Sequence, residues 1–297
     1  MKICATHIIP AVVVILWLSL TFPVTGQEAG ARVSPVLYGA IKRIVVEIAE
    51  LLEGSDHNST NAKKISKISM FAQTGELTYE EFFTNGRIEA SRSYERDEQG
   101  NVRRFVLLTP KGVREEEQIS VYRFGDLVER EYYYRDVLRM IKYYNYLPNK
   151  ISVRTKIVNW DDHVGYKVAV EYMSQMNSYD GSGELVSSLE YSANGTLWKK
   201  TVFEGGREVR EVFDIDQNLV SRTIVETNQN GDVSAEKLYD HQGSLVEKKS
   251  YLYKHDTFGN WIEREERVWS SESDSEDLDL VRVLYRTIEY HEASESE

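Results

Sequence analysis

The chain has 297 residues, 41% of them hydrophobic and 11% aromatic with 19 tyrosines, a composition that excludes a disordered chain and suffices for one large or two modest domains. A formal charge of −12 opposes binding to nucleic acid or anionic lipid, because both require clustered Lys and Arg against phosphate. The single cysteine is Cys4, so thiol catalysis, disulfides and cysteine-ligated zinc are excluded for everything after it.

Residues 1–26 read as a signal peptide. Lys2 is the basic start, Ile8 to Phe22 carries no charge, and Val24-Thr25-Gly26 precedes the expected cleavage. The apolar run falls short of the roughly 20 residues a spanning helix needs. Export to a bacterial periplasm or the exterior is therefore expected. Residues 27–64 read as an amphipathic helix and a polar linker. Ser34 stands as N-cap, Pro35 at the first helical position, and Leu37, Ile41, Ile44, Val45, Ile48 and Leu52 form one stripe before Gly54.

From 65 to 290 the chain repeats itself. An aromatic residue is followed four places later by Gly and two further on by an aliphatic or Trp, as in "YDGSGEL" (179–185), "YSANGTL" (191–197) and "YDHQGSL" (239–245). Looser copies include "RDEQGNV", "FDIDQNL" and "HDTFGNW". The letters suit a hairpin turn: Asp180 and Asp240 accept local N–H groups, and Gly183, Gly195, Gly243 and Gly259 take the left-handed place of a bulge. Tyr179 is then expected to oppose Leu185, and Tyr239 to oppose Leu245.

"YDHQGSL", "YDGSGEL" and "HDTFGNWIERE" resemble the YD-repeat (RHS-repeat) family of secreted bacterial proteins, and the short glycine-punctuated strands are similar to MORN-like repeats. The expected fold is mainly β: an antiparallel meander of repeated hairpins, YD/RHS-like or MORN-like, with one N-terminal amphipathic helix. Between 129 and 150 the tyrosine-rich stretch reads as two strands turning near Asp136. Residues 270–280 read as an acidic insertion before a last strand, and 291–297 as a polar tail.

No nucleophile elbow, paired-His helix or phosphate loop is present. "DIDQN" lacks the glycine and the last glutamate of a calcium loop and reads as a turn; Asp161, Asp162 and His163 also sit at an apparent turn. No cofactor or metal is expected. Strand 261–269 puts Glu263, Glu265 and Arg267 on one side and Arg264 and Glu266 on the other, which excludes a lipid-facing row and predicts no membrane insertion after signal cleavage. Surface aromatics remain. Tyr132, Tyr134, Tyr143, Tyr144, Trp198 and Trp261 are the candidate binding residues, suited to a glycan or an extended peptide. The expected function is a secreted or periplasmic, non-enzymatic scaffold or binding module for an envelope protein, peptide or glycan. The alternative is an exported, glycosidase-like hydrolase using a hidden carboxylate pair.

Overall fold

The computed structural model describes residues 37, 39–50, 62–160, 167–271 and 278–291. The leader, the first turns of the expected helix, residues 51–61, Asp161, Asp162 and His163, residues 272–277 and residues 292–297 lie outside them. All described secondary structure is β. The first strands are β1 (Ile41–Glu50), β2 (Lys64–Phe71), β3 (Leu77–Thr84), β4 (Arg87–Arg96), β5 (Val102–Leu108) and β6 (Arg114–Arg123). The wall continues through β7 (Asp126–Tyr134), β8 (Val137–Leu147), β9 (Lys150–Trp160), β10 (Lys167–Tyr179), β11 (Leu185–Tyr191) and β12 (Leu197–Glu204). It ends with β13 (Arg207–Phe213), β14 (Leu219–Thr227), β15 (Val233–Asp240), β16 (Leu245–His255), β17 (Trp261–Ser270) and β18 (Asp279–Tyr290).

Each strand pairs antiparallel with its neighbour in the chain, and β1 pairs with both β2 and β18. The result is a closed barrel of 18 strands. Two expectations fail here. The sheet is a closed barrel and not the meander of hairpins with a helical cover, and the N-terminal segment is a strand. Ile44, Val45, Val46 and Ile48 are β-branched, and such side chains pack well on a pleated surface. Their strand supplies the partner that the edges of β2 and β18 would otherwise lack.

Five of the described turns are each built around one carboxylate. Asp180 Oδ1 accepts the N–H groups of Ser182 and Glu184, both at 2.9 Å, while Asp240 Oδ1 takes those of Gln242 and Ser244 at 2.9 and 2.8 Å. Asp97, Asp214 and Asp256 do the same. Gly183 and Gly243 follow at φ +83° and +84°, where a β-carbon is strained. Arg135 and Asp136 make a two-residue turn with both φ positive, the hairpin form whose twist matches its strands.

Alternation along strands and pairing between them carry two faces around the ring. On one face Ser69 opposes Glu80, Glu80 opposes Arg92, Tyr94 opposes Phe105 and Gln118 opposes Tyr132. The same face continues through Asn177, Ser188, Thr201 and Arg210. It holds the buried Ser69, Glu80, Ser120, Arg130, Thr155, Asn177, Ser188, Thr201 and Glu266. Side chains converge on the concave side of a curved wall, so this is the interior. The other face carries the more exposed ion pairs, Arg104 with Glu95, Arg154 with Glu171, Arg222 with Glu211 and Lys254 with Glu263.

The aromatic–aliphatic pairs are found in register, Tyr179 with Leu185 and Tyr239 with Leu245. They lie on opposite faces. At the end of the barrel that bears the 72–76 turn, the apolar residues that close the hairpins, Leu77, Val102, Leu127, Ile151, Leu185 and Trp261, point inward and are buried. Leu77, Val102, Tyr94 and Phe105 form an apolar cluster there. At the other end Leu197, Leu219 and Leu245 point outward and are half-buried. The bulge beside each turn reverses the side-chain sense between the two ends of a strand.

Candidate functional site

At this strand number a closed sheet encloses an aqueous channel, and the inner-facing Phe82, Tyr132, Tyr134, Tyr144 and Tyr253 are half-buried instead of sealed. Charges on this wall are mostly answered by their neighbours. Glu80 is 3% exposed and sits 2.5 Å from Lys67 Nζ and 3.4 Å from Arg92 Nη1. The Tyr94 hydroxyl donates to it at 2.6 Å. Burial resists its ionisation, but Lys67, Tyr94 and Arg92 together hold its carboxyl below the ordinary glutamate range. Arg282 makes a forked pair with Glu266 at 2.9 and 3.1 Å, and Arg210 does so with Glu208 at 2.6 and 3.1 Å. These clusters neutralise themselves, and those of Glu80 and Glu266 also tie neighbouring strands together.

The wall of β16, β17 and β18 differs. The Arg286 guanidinium lies 3.4 Å from the centroid of the Trp261 ring, and Arg264 lies 5.5 Å from the same centroid and 5.3 Å from that of Tyr251. Arg286 Nε and Nη1 and Arg264 Nε are buried and donate to no group among the described residues. Asp232, the acid that attracts Arg286, is already engaged: His255 Nε2 donates to its Oδ2 at 2.9 Å. Tyr253 packs edge-on to Trp261 and gives its hydroxyl to the Val233 carbonyl at 2.7 Å.

The electrostatics follow from this arrangement. Burial first, and then the Arg264 charge, push the Arg286 guanidinium down to about 9, against the opposing pull of Asp232. It remains a cation at neutral pH. Burial pushes the Tyr253 hydroxyl up to about 12 although Arg264 favours the phenolate. Two cations therefore face a half-wet interior with no carboxylate within ion-pair distance among the described residues, against a tryptophan ring.

The sequence-chosen aromatics do not converge. Tyr132, Tyr134 and Tyr144 are on the inner face of β7 and β8, opposite Gln118, Glu116 and Val153. Lys142 Nζ stands 5.4 Å from the Tyr132 ring. Tyr143 is on the outer face opposite Glu129 and Arg154. Trp198 is 41% exposed at the start of β12, with Lys199 Nζ 5.7 Å from its ring. Trp261 is buried under Arg286 and orients that arginine. Asp180, Gly183, Gly195, Asp240, Gly243 and Gly259 all sit in turns at the barrel rims. Arg264, Arg286, Asp232 and His255 were not singled out by the sequence as a group. Arg286 carries no motif, and only strand pairing brings it to Trp261.

Glu116 is the carboxylate a hydrolase reading would need first, since burial, aided by Glu115 and opposed by Arg92, raises its pKa. Its cross-strand neighbours are Leu107 and Tyr134, not a second acid. Among the described residues no group of three or more His, Cys, Asp or Glu is placed to hold a metal ion.

No family model matches the chain, and no curated protein matches it. The YD-repeat (RHS-repeat) resemblance is thereby corrected: its motif letters specify a bulged turn, which a closed barrel uses equally well. Solved structures with some likeness include a porin-like protein from Bacteroides uniformis, 10% identical, covering 85% of this chain and 98% of its own, with a TM-score of 0.40. A porin-like protein from Bacteroides vulgatus is 10% identical over 83% of this chain and 98% of its own, with a TM-score of 0.30. A Bacteroides fragilis protein of unknown function is 15% identical over 44% of this chain and 87% of its own, at 0.24.

Proposed function

We propose that the chain is an exported, water-soluble β-barrel that binds a polar ligand, a glycan or an extended peptide, along its inner wall at the cell envelope and does not turn it over. The observation that carries this reading is the distribution of charge around the wall. A membrane barrel needs an outward apolar band about 25 Å tall. Here Glu95, Arg104, Glu117, Glu131, Arg154 and Glu171 follow one another across the outer face from β4 to β10. Glu211, Arg222, Lys237, Lys248 and Glu265 continue the series on later strands. A charge at the bilayer midplane costs about 2 to 4 kcal/mol on such a barrel, and the named charges stand on eleven of the 18 strands.

The inner wall supports the binding half of the reading, because it combines half-buried rings with charged groups, a surface suited to stacking and hydrogen bonding. Fractionation of expressing cells tests the proposal. The full chain is expected in the soluble envelope or culture fraction, monodisperse without detergent, and to retain a ligand from a glycan or peptide array. Recovery only with membranes after a high-pH wash contradicts it.

A further inference from the structure

We propose that Arg264 and Arg286 form an oxyanion-binding site on the inner wall, taking a carboxylate, sulfate or phosphate group carried by the barrel's ligand. The inference deepens the interior-binding reading and rests on it. A guanidinium is a planar fork of N–H donors matched to such groups. Elsewhere on the inner wall Arg282, Arg210 and Arg92 each meet a glutamate. Arg264 and Arg286 instead stand beside each other, opposed by Leu284 and Val46 across the strands. Neither has a carboxylate within ion-pair distance among the described residues.

A buried cation left without a partner is costly, and a pair of like charges adds repulsion. An incoming oxyanion relieves both costs at once. Trp261 fixes the Arg286 plane, so little order must be created on binding. Asp232 already accepts from His255. The site thus has two donors, a rigid platform and a satisfied neighbour. It lacks only the anion.

The test is a titration of the full chain with inorganic phosphate, sulfate or acetate at constant ionic strength, read by calorimetry and by the shift in Tm. At least one of the three is expected to bind saturably, and which one binds identifies the group. Arg286→Met and Arg264→Met should each weaken it at least about tenfold, the loss of a charge-assisted pair. Lys248→Met, on the outer face, should leave it unchanged. Met at 286 still covers the indole, so that variant is expected to fold with a Tm at or above the parent's. If Arg286→Met does not fold, Arg264→Met alone decides. No response to any of the three anions, or an equal response in the arginine variants, overturns the site. A soluble barrel that retains an array ligand yet ignores all three anions loses this site and keeps the wider reading. Recovery only with membranes removes the wider reading whatever the anions do.

Discussion

Tyr146 on β8 donates its hydroxyl to the backbone carbonyl of Leu127 on β7 at 3.1 Å. Tyr122 reaches the Val102 carbonyl in the same way at 3.3 Å, and Arg96 reaches that of Leu77 at 3.2 Å. Each bond leaves the residue that opens one hairpin and lands on the residue that closes the hairpin before it. The ring of turns at this end is therefore sewn from the inside. Tyr146→Phe removes the donor and keeps the ring, and is expected to cost about 0.5 to 1.5 kcal/mol by denaturant unfolding. An unchanged midpoint would show that the contact contributes nothing.

The reversal of side-chain sense between the two ends has its own consequence. Leu185 is buried inside the barrel, and Leu245 is half-buried outside it, although both close the same motif. Leu185→Ala should cost about 2 to 4 kcal/mol, in the range for a buried leucine. Leu245→Ala should cost about 1 kcal/mol or less, since much of its area is already wet. Equal losses would contradict the assignment of inside and outside.

That pair also shows what the letters could convey. The motif specifies the turn and the local register, and Tyr179 does meet Leu185. It does not specify a face, because the bulge that follows each turn shifts the count by one. Closure was equally hidden. Every pairing but one joins neighbours in the chain, and no residue in Ile41–Glu50 announces that it will meet Asp279–Tyr290. The spacing of Ile41, Ile44, Val45 and Ile48 fits a helical stripe, yet Ile44, Val46 and Ile48 fit a strand face as well, and the β-branched side chains favour the strand. Arg286 had no local signal, since its partner Trp261 lies across the β17–β18 pairing.

Gly243 offers a clean test of the turn. Its φ is +84° and a β-carbon added there would meet nothing within 4 Å. Gly243→Ala should therefore cost about 1 to 2 kcal/mol through backbone conformation alone. Gly243→Asn should cost less, because Asn enters the left-handed region more readily. If the two substitutions unfold at the same denaturant concentration as the parent, the left-handed turn is wrong.

Glu116 sets a pH dependence. Burial raises its pKa in the folded chain above the unfolded value of 4.5. Such a carboxyl favours the fold below 4.5 and loses that contribution as pH rises through its folded pKa. The charged form is the one that burial disfavours in the fold. Glu116→Gln is expected to raise Tm at pH 7 and to make no difference below pH 4.5. A lower Tm at pH 7 would place a partner for Glu116 that the wall does not show.

Closure of the barrel, and its proposed independence of detergent, are tested most directly by joining its first and last strands. Val45 opposes Thr287 in the β1–β18 pairing, on the outer face. The full chain with Cys4→Ser, Val45→Cys and Thr287→Cys, oxidised in buffer without detergent, should form one intramolecular disulfide and remain a soluble monomer. Thiols that stay free, cross-links only between molecules, or a bond that forms only in detergent would contradict it.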